Sequence, residues 1–540
     1  MMKNDMTFED YNFDKIYDRA ASDSIKYSNL PSDRKGRTVI PMWVADMDFI
    51  SPNPVKEALK KRADHGIYGY PSLDKECTLA VARWFRDRYD FEISPKWIIQ
   101  TPGVIFAIAN AIRTLTIPGD AVMISRPVYH HFSSVINDLG RKLVNSPLVL
   151  ANEPHKISSL SFAGASHESD ADSLSFADAS HESDADSLSF ADASHESDAD
   201  SLSFAASSYT IDFDDFEQKI IDNNVKAYIL CNPHNPIGRV WTRAELEKIR
   251  DICLKHDVFV ISDEIHCDFV WIGNSFTSYG TLGQEALDNC IICTAPSKTF
   301  NIAGLCCANI IIPNRPIYRK FAAGMNSMGL YVNIMGTEAC RAAYSSGLSW
   351  LEDVRDYIYE NIIFMESYLK ENLPCIRMIR PEGTYLVWTD MRDIIPMLMK
   401  SIDDASISKV SADSDNANIA NTKISSADSD SAESKNVSGT STSGTSTSGT
   451  NISGTSTSGA SGAGTSISGA STSGTSISGA SGAGTDACSR LNDFIKNDCG
   501  LLLDDGAKFG PEGAGFQRFN VACPRPILKE ALCRLRDALV

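Results

Sequence analysis

The chain has 540 residues, with 50 Lys and Arg against 69 Asp and Glu, a formal net charge of −19 and 14 cysteines. That acidity speaks against a general nucleic-acid or membrane-surface role, and no apolar run reaches the roughly 18 residues that a membrane span requires. The N-terminal stretch Met1–Asp10 lacks an apolar signal core, and the cysteines sit scattered in apolar stretches, which predicts reduced, buried thiols in a cytoplasmic protein.

In chain order, residues 13–50 open with polar, helix-compatible sequence and then reach Val39–Phe49, an apolar run with an embedded Asp46 and Asp48. Flanking prolines make it an extended strap rather than a helix; as sequence alone, a packing role and a contact with a ligand stay equally open. Pro54–Arg62 reads as a short helix, Gly66–Pro71 as a tight turn carrying Tyr70, and Leu79–Tyr89 as an amphipathic helix. Thr101-Pro102-Gly103 opens a long apolar helix beginning near Val104 and Ile105. A glycine turn leading into a helix leaves N–H groups free for an anion, although most such turns bind nothing. Ala121–Ile124 is a strand, followed by Tyr129, His130 and His131; adjacent histidines rarely converge on one metal.

From Ser159 a 14-residue unit recurs, with the 42 positions 159–200 holding eleven acids and no Lys or Arg. One Leu and one Phe per unit are too few to build a core, so the segment reads as an acidic surface insertion. Each unit carries a histidine (His167, His181, His195), but a solvated repeat explains them without a metal. Ala227–Cys231 resumes the strand pattern and leads into Asn232-Pro233-His234-Asn235-Pro236, a loop that two prolines stiffen. Leu246–His256 is an amphipathic helix. Val258–Ser262 is an apolar run ending in Asp263, with His266 just beyond. An acid at such a strand end sits where α/β proteins bind ligands.

Ile291–Cys293 is a further buried strand; Pro296 ends it and a loop of small and polar residues carries Lys298. A lysine just past a buried strand loses hydration, which lowers its pKa and makes it the nucleophile a Schiff base needs. Cys290-x-x-Cys293 matches half a metal or redox motif by letter only, since it falls inside the strand. Ala308–Ile312 is another strand, Arg319–Asn372 is helical, and Pro381–Trp388 is strand-like. Residues 401–485 become dominated by Ser, Gly and Thr, a flexible coil. The two biased segments remove roughly 130 residues and leave about 400, ample for a two-domain core. The last piece, Leu491–Asn520, carries Arg518 after a glycine-rich turn. A guanidinium fork can grip a carboxylate in two parallel bonds, and for Arg518 taken alone a surface salt bridge is the plainer reading.

Ser297-Lys298-Thr299-Phe300-Asn301-Ile302-Ala303-Gly304-Leu305 resembles the cofactor-lysine segment of the pyridoxal 5'-phosphate (PLP) enzymes of aminotransferase class I/II, fold type I. Within them the chain is similar to the MalY/PatB-type carbon–sulfur β-lyases, from about Phe13 to the C-terminus apart from the two insertions. The resemblance implies an α/β fold with a mostly parallel seven-stranded sheet sandwiched by helices and a smaller α+β domain. It implies an N-terminal segment (1–50) across the active-site mouth, a large domain (51–325, interrupted at about 155–207) and a small domain (326–540, interrupted at about 401–485).

It also implies roles. Lys298 would hold PLP and act as the base, Asp263 would pair with the ring nitrogen, and Asn235 and His266 would lie at the phenolic oxygen. Tyr129 would stack on the ring, and Val104 and Ile105 would give main-chain N–H groups to the phosphate. Arg518 and Ala45 would meet the substrate, a small amino acid, and Tyr70 would reach the phosphate of a second subunit in a homodimer. The sequence departs from the wider superfamily at Cys306, where many class I enzymes carry a phosphate-binding arginine eight residues after the lysine. N–H groups, a hydroxyl or Tyr70 must then hold the phosphate. The activity implied is α,β-elimination from cystathionine or a related cysteine S-conjugate, giving a thiol, pyruvate and ammonia. An aminotransferase needs the same residues, and a PLP-fold regulatory protein would instead use the repeats as its surface; the intact cofactor positions argue against the latter.

Overall fold

Seven apolar runs, each bounded by turn residues, become the strands of one sheet: β1 (Ile98–Thr101), β2 (Ala121–Ile124), β3 (Lys142–Asn145), β4 (Val225–Cys231), β5 (Phe259–Asp263), β6 (Cys290–Thr294) and β7 (Ala308–Ile311). Their spatial order is β1-β7-β6-β5-β4-β2-β3. β7 runs antiparallel to both neighbours and every other pairing is parallel, so the sheet is mixed and mostly parallel, as expected. The structure, a computed structural model, describes residues 11–71, 75–151, 208–400 and 482–539. The repeats with His167, His181 and His195, and nearly all of the Ser/Gly/Thr-rich stretch, lie outside the described residues.

The central strands are near-continuous apolar runs because a parallel sheet is covered on both faces. Ile229, Ile261, Ile291, Cys293 and Ile310 are fully buried, and the helix Val104–Leu115 packs Ala107, Ile108, Ala111 and Ile112 into the same core. A second sheet, antiparallel throughout, contains β8 (Arg377–Ile379), β9 (Leu386–Asp390), β10 (Asp504–Asp505) and β11 (Phe516–Asn520) in the order β8-β9-β11-β10. Both sheets belong to one compact unit, Met1–Pro396 with Cys488–Val540; the other unit is Met397–Ala487. No helix among the described residues is long and apolar enough to cross a membrane.

Four local expectations need correction. No helix forms between Tyr11 and Pro52; the charged residues that made the segment look helix-compatible are instead spent on tertiary ion pairs of Arg19 and Lys26 with Asp46 and Asp48. The lysine segment is not a loop but a one-turn helix, Pro296–Thr299, in which Pro296 occupies the first turn where its missing N–H costs nothing. Residues 381–385 form no strand, which begins only at Leu386; there Thr384 adopts a left-handed φ of 68°. The helix Arg243–Lys255 begins three residues earlier than expected because Thr242 and Glu245 form a reciprocal capping box.

The acidic insertion leaves and re-enters the fold at one place. Leu148–Leu150 pairs antiparallel with Tyr209–Ile211, and the Ala151 N–H donates to Ser208 O at 2.7 Å. The insertion is therefore the tip of a hairpin whose strands are already paired. Replacing residues 152–207 by a two-residue Asn-Gly turn closes the same hairpin. The thermal midpoint should stay within about 3 °C of the original by calorimetry, since loop length changes closure entropy slowly; a fall of about 10 °C or more would show that the insertion is part of the core.

Candidate active site

The sheet register assembles the site. Cys231 lies beside Asp263 and Asp263 beside Cys293, so the parallel strands β4, β5 and β6 end level. Their next residues supply the Asn235 loop, Asp263 itself and the lysine turn. Through β7, β1 ends on the same edge at Thr101, where Gly103 opens the helix Val104–Leu115. A cavity of about 180 Å³ lies at this edge. Lys298, Asp263, Asn235 and His266 line it, as do Tyr129, Val104, Ile105 and Ala45. Arg518 reaches it through Asn235, whose Oδ1 accepts from Arg518 Nη1 at 3.0 Å. Nine of the ten sequence-predicted residues thus converge. Tyr70 does not: its side chain is 96 % exposed and meets nothing in this cavity.

The Lys298 amine opens on the cavity, yet the surrounding atoms withdraw it from bulk water. Desolvation pulls its pKa down to about 8, against the opposing pull of Asp46. Its Nζ donates to Ala45 O at 2.7 Å, and Tyr385 Oη donates to the same carbonyl at 3.0 Å. Asp263 is buried and accepts only the Ile265 N–H, at 3.2 Å, so burial pushes its carboxyl up to about 7. Burial, with the Lys298 and Arg518 charges nearby, drives His266 down to about 3, which keeps it neutral, and its Nδ1 has no partner. Burial likewise raises the Tyr129 phenol to about 12, so it stays protonated.

Arg518 lies on β11 directly opposite Asp504 on β10, and the two form a buried ion pair. Nη2 also donates to Trp43 O at 2.6 Å, whereas Nε is buried with no acceptor among the described residues. The Asn235 loop is fixed from outside by Arg239, which pairs with Glu245 at 2.9 Å and Glu382 at 2.8 Å. Sequence reasoning missed Asp504, Tyr385, Cys231 and Ser297. The last two line the cavity. Position gave the one available signal, since Cys231 ends a strand and Ser297 precedes the lysine.

The unsatisfied groups fit PLP. Asp263 lacks the cationic partner that a pyridinium nitrogen would provide. Asn235 spends its oxygen on Arg518, which leaves its amide Nδ2 as the donor for a phenolate. Tyr129 offers a ring face. Gly103 provides no side-chain cap, so the first N–H groups of the helix, on Val104 and Ile105, are free for a phosphate. Ser297 adds a hydroxyl, and the exposed Cys306 replaces the missing arginine with no charge.

Fold and cavity together define a PLP-dependent enzyme of fold type I. The chain belongs to the aminotransferase class I and II family, whose model matches residues 37–155 and 193–424. It is 36 % identical over 380 residues to cystathionine β-lyase PatB of Bacillus subtilis (strain 168), covering 70 % of this chain and 84 % of that one. It is 27 % identical over 404 residues to protein MalY of Escherichia coli (strain K12), covering 74 % and 87 %. In structure it is similar to cystalysin from Treponema denticola, which contains a pyridoxal 5'-phosphate cofactor, with a TM-score of 0.68, 27 % identity and coverage of 98 % of each chain.

The lowered lysine pKa is measurable without cofactor. Competitive acylation of the cofactor-free chain, read by mass spectrometry, should give Lys298 a reactivity midpoint near pH 8, the neutral amine prevailing above it. A fully hydrated lysine amine has an ordinary value of about 10.4, and a Lys298 midpoint there would mean that the amine is not withdrawn from water.

Proposed function

We propose that the chain is a PLP-dependent carbon–sulfur β-lyase that cleaves cystathionine or a related L-cysteine S-conjugate to a thiol, pyruvate and ammonia. The observation that carries it is the convergence of Lys298, Asp263, Asn235 and Arg518 on one cavity, in a chain 36 % identical to a cystathionine β-lyase. Bound PLP supplies an electron sink that stabilises negative charge at the substrate Cα. The chain's residues do the rest. Arg518 holds the α-carboxylate, for which its buried Nε is free. Lys298, partly neutral near pH 7, takes the Cα proton, and the proton and amine remain within reach of Ala45 O. Asp263 would pair with the ring nitrogen of bound PLP, and Asn235 Nδ2 would be the donor for its phenolic oxygen. His266, neutral and packed edge-on to Tyr385 with ring centroids 5.8 Å apart, walls that side. A thiolate is a good leaving group, so the bond from Cβ to sulfur breaks more readily than one to oxygen.

The Val104 and Ile105 N–H groups and the Ser297 hydroxyl would hold the phosphate, with Tyr70 contributed by a second subunit. The full exposure of the Tyr70 ring beside exposed Ile67 and Tyr68 supports a homodimer, in which that apolar arm gains cover. Fourteen cysteines with no disulfide among the described residues suit a reducing cytoplasm. With cystathionine as substrate, the reaction would serve methionine biosynthesis. Residues 1–50, 51–325 and 326–540 would act as mouth segment, cofactor domain and small domain.

Purified holoenzyme should release pyruvate from cystathionine with no keto acid present, measured by coupled lactate dehydrogenase. Absence of pyruvate together with keto-acid-dependent turnover would identify an aminotransferase. Lys298→Ala should lower kcat by about 10³-fold or more, the scale of a general base. Tyr70→Phe should weaken PLP binding by about tenfold, the worth of one hydrogen bond to a charged group; an unchanged dissociation constant would remove Tyr70 from the site.

A further inference from the structure

Behind the lysine turn lies a buried carboxylate that the reaction does not touch. Asp268 is 2 % exposed. Its Oδ1 accepts from Trp84 Nε1 at 3.1 Å, Arg88 Nε at 3.2 Å and Tyr89 Oη at 2.5 Å, all from the helix Lys75–Tyr89. Its Oδ2 accepts from Thr299 Oγ1 at 2.7 Å. Thr299 is the residue after Lys298, is 1 % exposed, and closes the one-turn helix Pro296–Thr299. Phe300, next in line, meets Trp84 edge-to-face at 5.5 Å, so the ring packs directly on the helix that the hydroxyl reaches through Asp268.

A helix of four residues cannot set its own orientation, because nucleation is unfavourable and a single turn is marginal in water. Tertiary contacts must do so. Successive side chains of a helix diverge by about 100°, since a turn holds about 3.6 residues. Fixing the direction of Thr299 therefore fixes the direction of Lys298. The cavity side is held by Asn301, whose Nδ2 donates to Met47 O at 3.0 Å and Phe49 O at 2.7 Å. The opposite side is held by Asp268. One anion with one neighbouring cation, Arg88, thus ties the lysine turn to a helix that does not itself reach the cavity.

We infer that Asp268 is a positioning residue of the reaction: through the Thr299 hydroxyl it sets the angle at which Lys298 enters the cofactor cavity. This rests on Lys298 being the cofactor lysine. Apolar packing alone would hold the turn in place but would not demand a hydroxyl at 299 or an anion at 268.

The test uses full-length Thr299→Val, Thr299→Ser, Asp268→Asn and the Thr299→Val/Asp268→Asn double variant, with circular dichroism to confirm folding. Thr299→Val should lower kcat by about tenfold with KM within about twofold, the scale expected when a catalytic group is slightly misplaced. It should also weaken PLP capture by the cofactor-free chain, read by absorbance titration, while Thr299→Ser restores both. The double variant should lose no more than the worse single variant, because both remove one contact. A folded Thr299→Val with unchanged kcat and PLP affinity, a Thr299→Ser as impaired as Thr299→Val, or fully additive losses would each overturn the assignment. If Thr299→Val does not fold, the Thr299→Ser and Asp268→Asn pair decides: wild-type behaviour of Asp268→Asn rejects the inference, and a kcat loss in it alone upholds it. PLP capture is read without substrate, so a wild-type chain that released no pyruvate would still report on the hold while refuting the lyase reading.

Discussion

The hydrogen bond from the Lys298 amine to the Ala45 carbonyl organises the site. The strap around Ala45 pairs with a strand only at Ile40–Pro41, against Leu501–Leu502. Beyond that its carbonyl groups have no ladder, and a buried carbonyl must find a donor. The donors come from functional elements. Arg518 serves Trp43 O, Asn520 serves Val44 O and Asp46 O, Lys298 and Tyr385 serve Ala45 O, and Asn301 serves Met47 O and Phe49 O. The strap is thus held in part by Lys298 and Arg518, side chains that line or reach the cavity. Their directions are set before any ligand arrives, which is how binding energy is kept for the reacting atoms.

Anchoring independent of the site comes from Arg19 and Lys26. The Lys26 ammonium is buried and pairs with Asp48 at 2.8 Å, and Arg19 bridges Asp46 at 2.6 Å and Asp48 at 2.5 Å. Two cations facing two acids leave no net buried charge, and removing one member of such a set costs about 3–5 kcal/mol because the others stay desolvated. The neighbouring acids Asp263 and Glu264 show the same logic. Burial pushes both up to about 7. Glu264 is answered by Ser262, Ser278 and the Tyr279 N–H, so its needs are met within the fold. Asp263, with one donor, is the acid left waiting for a ligand.

Much of this was legible in the residues. Apolar runs such as Ala227–Cys231 and Ile291–Cys293 could hardly be anything but buried strands, and an acid or a lysine at the end of such a run stands out by contrast. What stayed hidden was decided by tertiary register. Asp504 becomes important because it falls opposite Arg518 across two short strands, a pairing no periodicity announces. Arg19 and Lys26 fall in a polar, helix-compatible stretch, and a buried ion cluster and a solvated face have the same local composition. Pro296 follows the end of a strand, but a proline also begins helices. One residue type satisfies both constraints and only the following turn chooses.

The Arg518–Asp504 pair bears on how the site can discriminate. An arginine proposed to receive a substrate carboxylate cannot wait unpaired in a buried place. Here Asp504 balances its charge, while Asn235 and Trp43 O take further N–H groups, leaving Nε open. An arriving carboxylate therefore meets a guanidinium already compensated in charge. Net attraction is weak, and recognition must come from direction: an oxygen placed in line with Nε, with the α-amino group beside Lys298. A ligand with a carboxylate but no correctly spaced amine gains little from such a pocket. The Asn235 amide, which bonds Arg518 and faces the cofactor cavity, links the two halves of that requirement. In the proposed role, movement of the guanidinium onto a substrate would be felt directly by the amide proposed to hold the cofactor's oxygen, which would couple carboxylate binding to cofactor alignment.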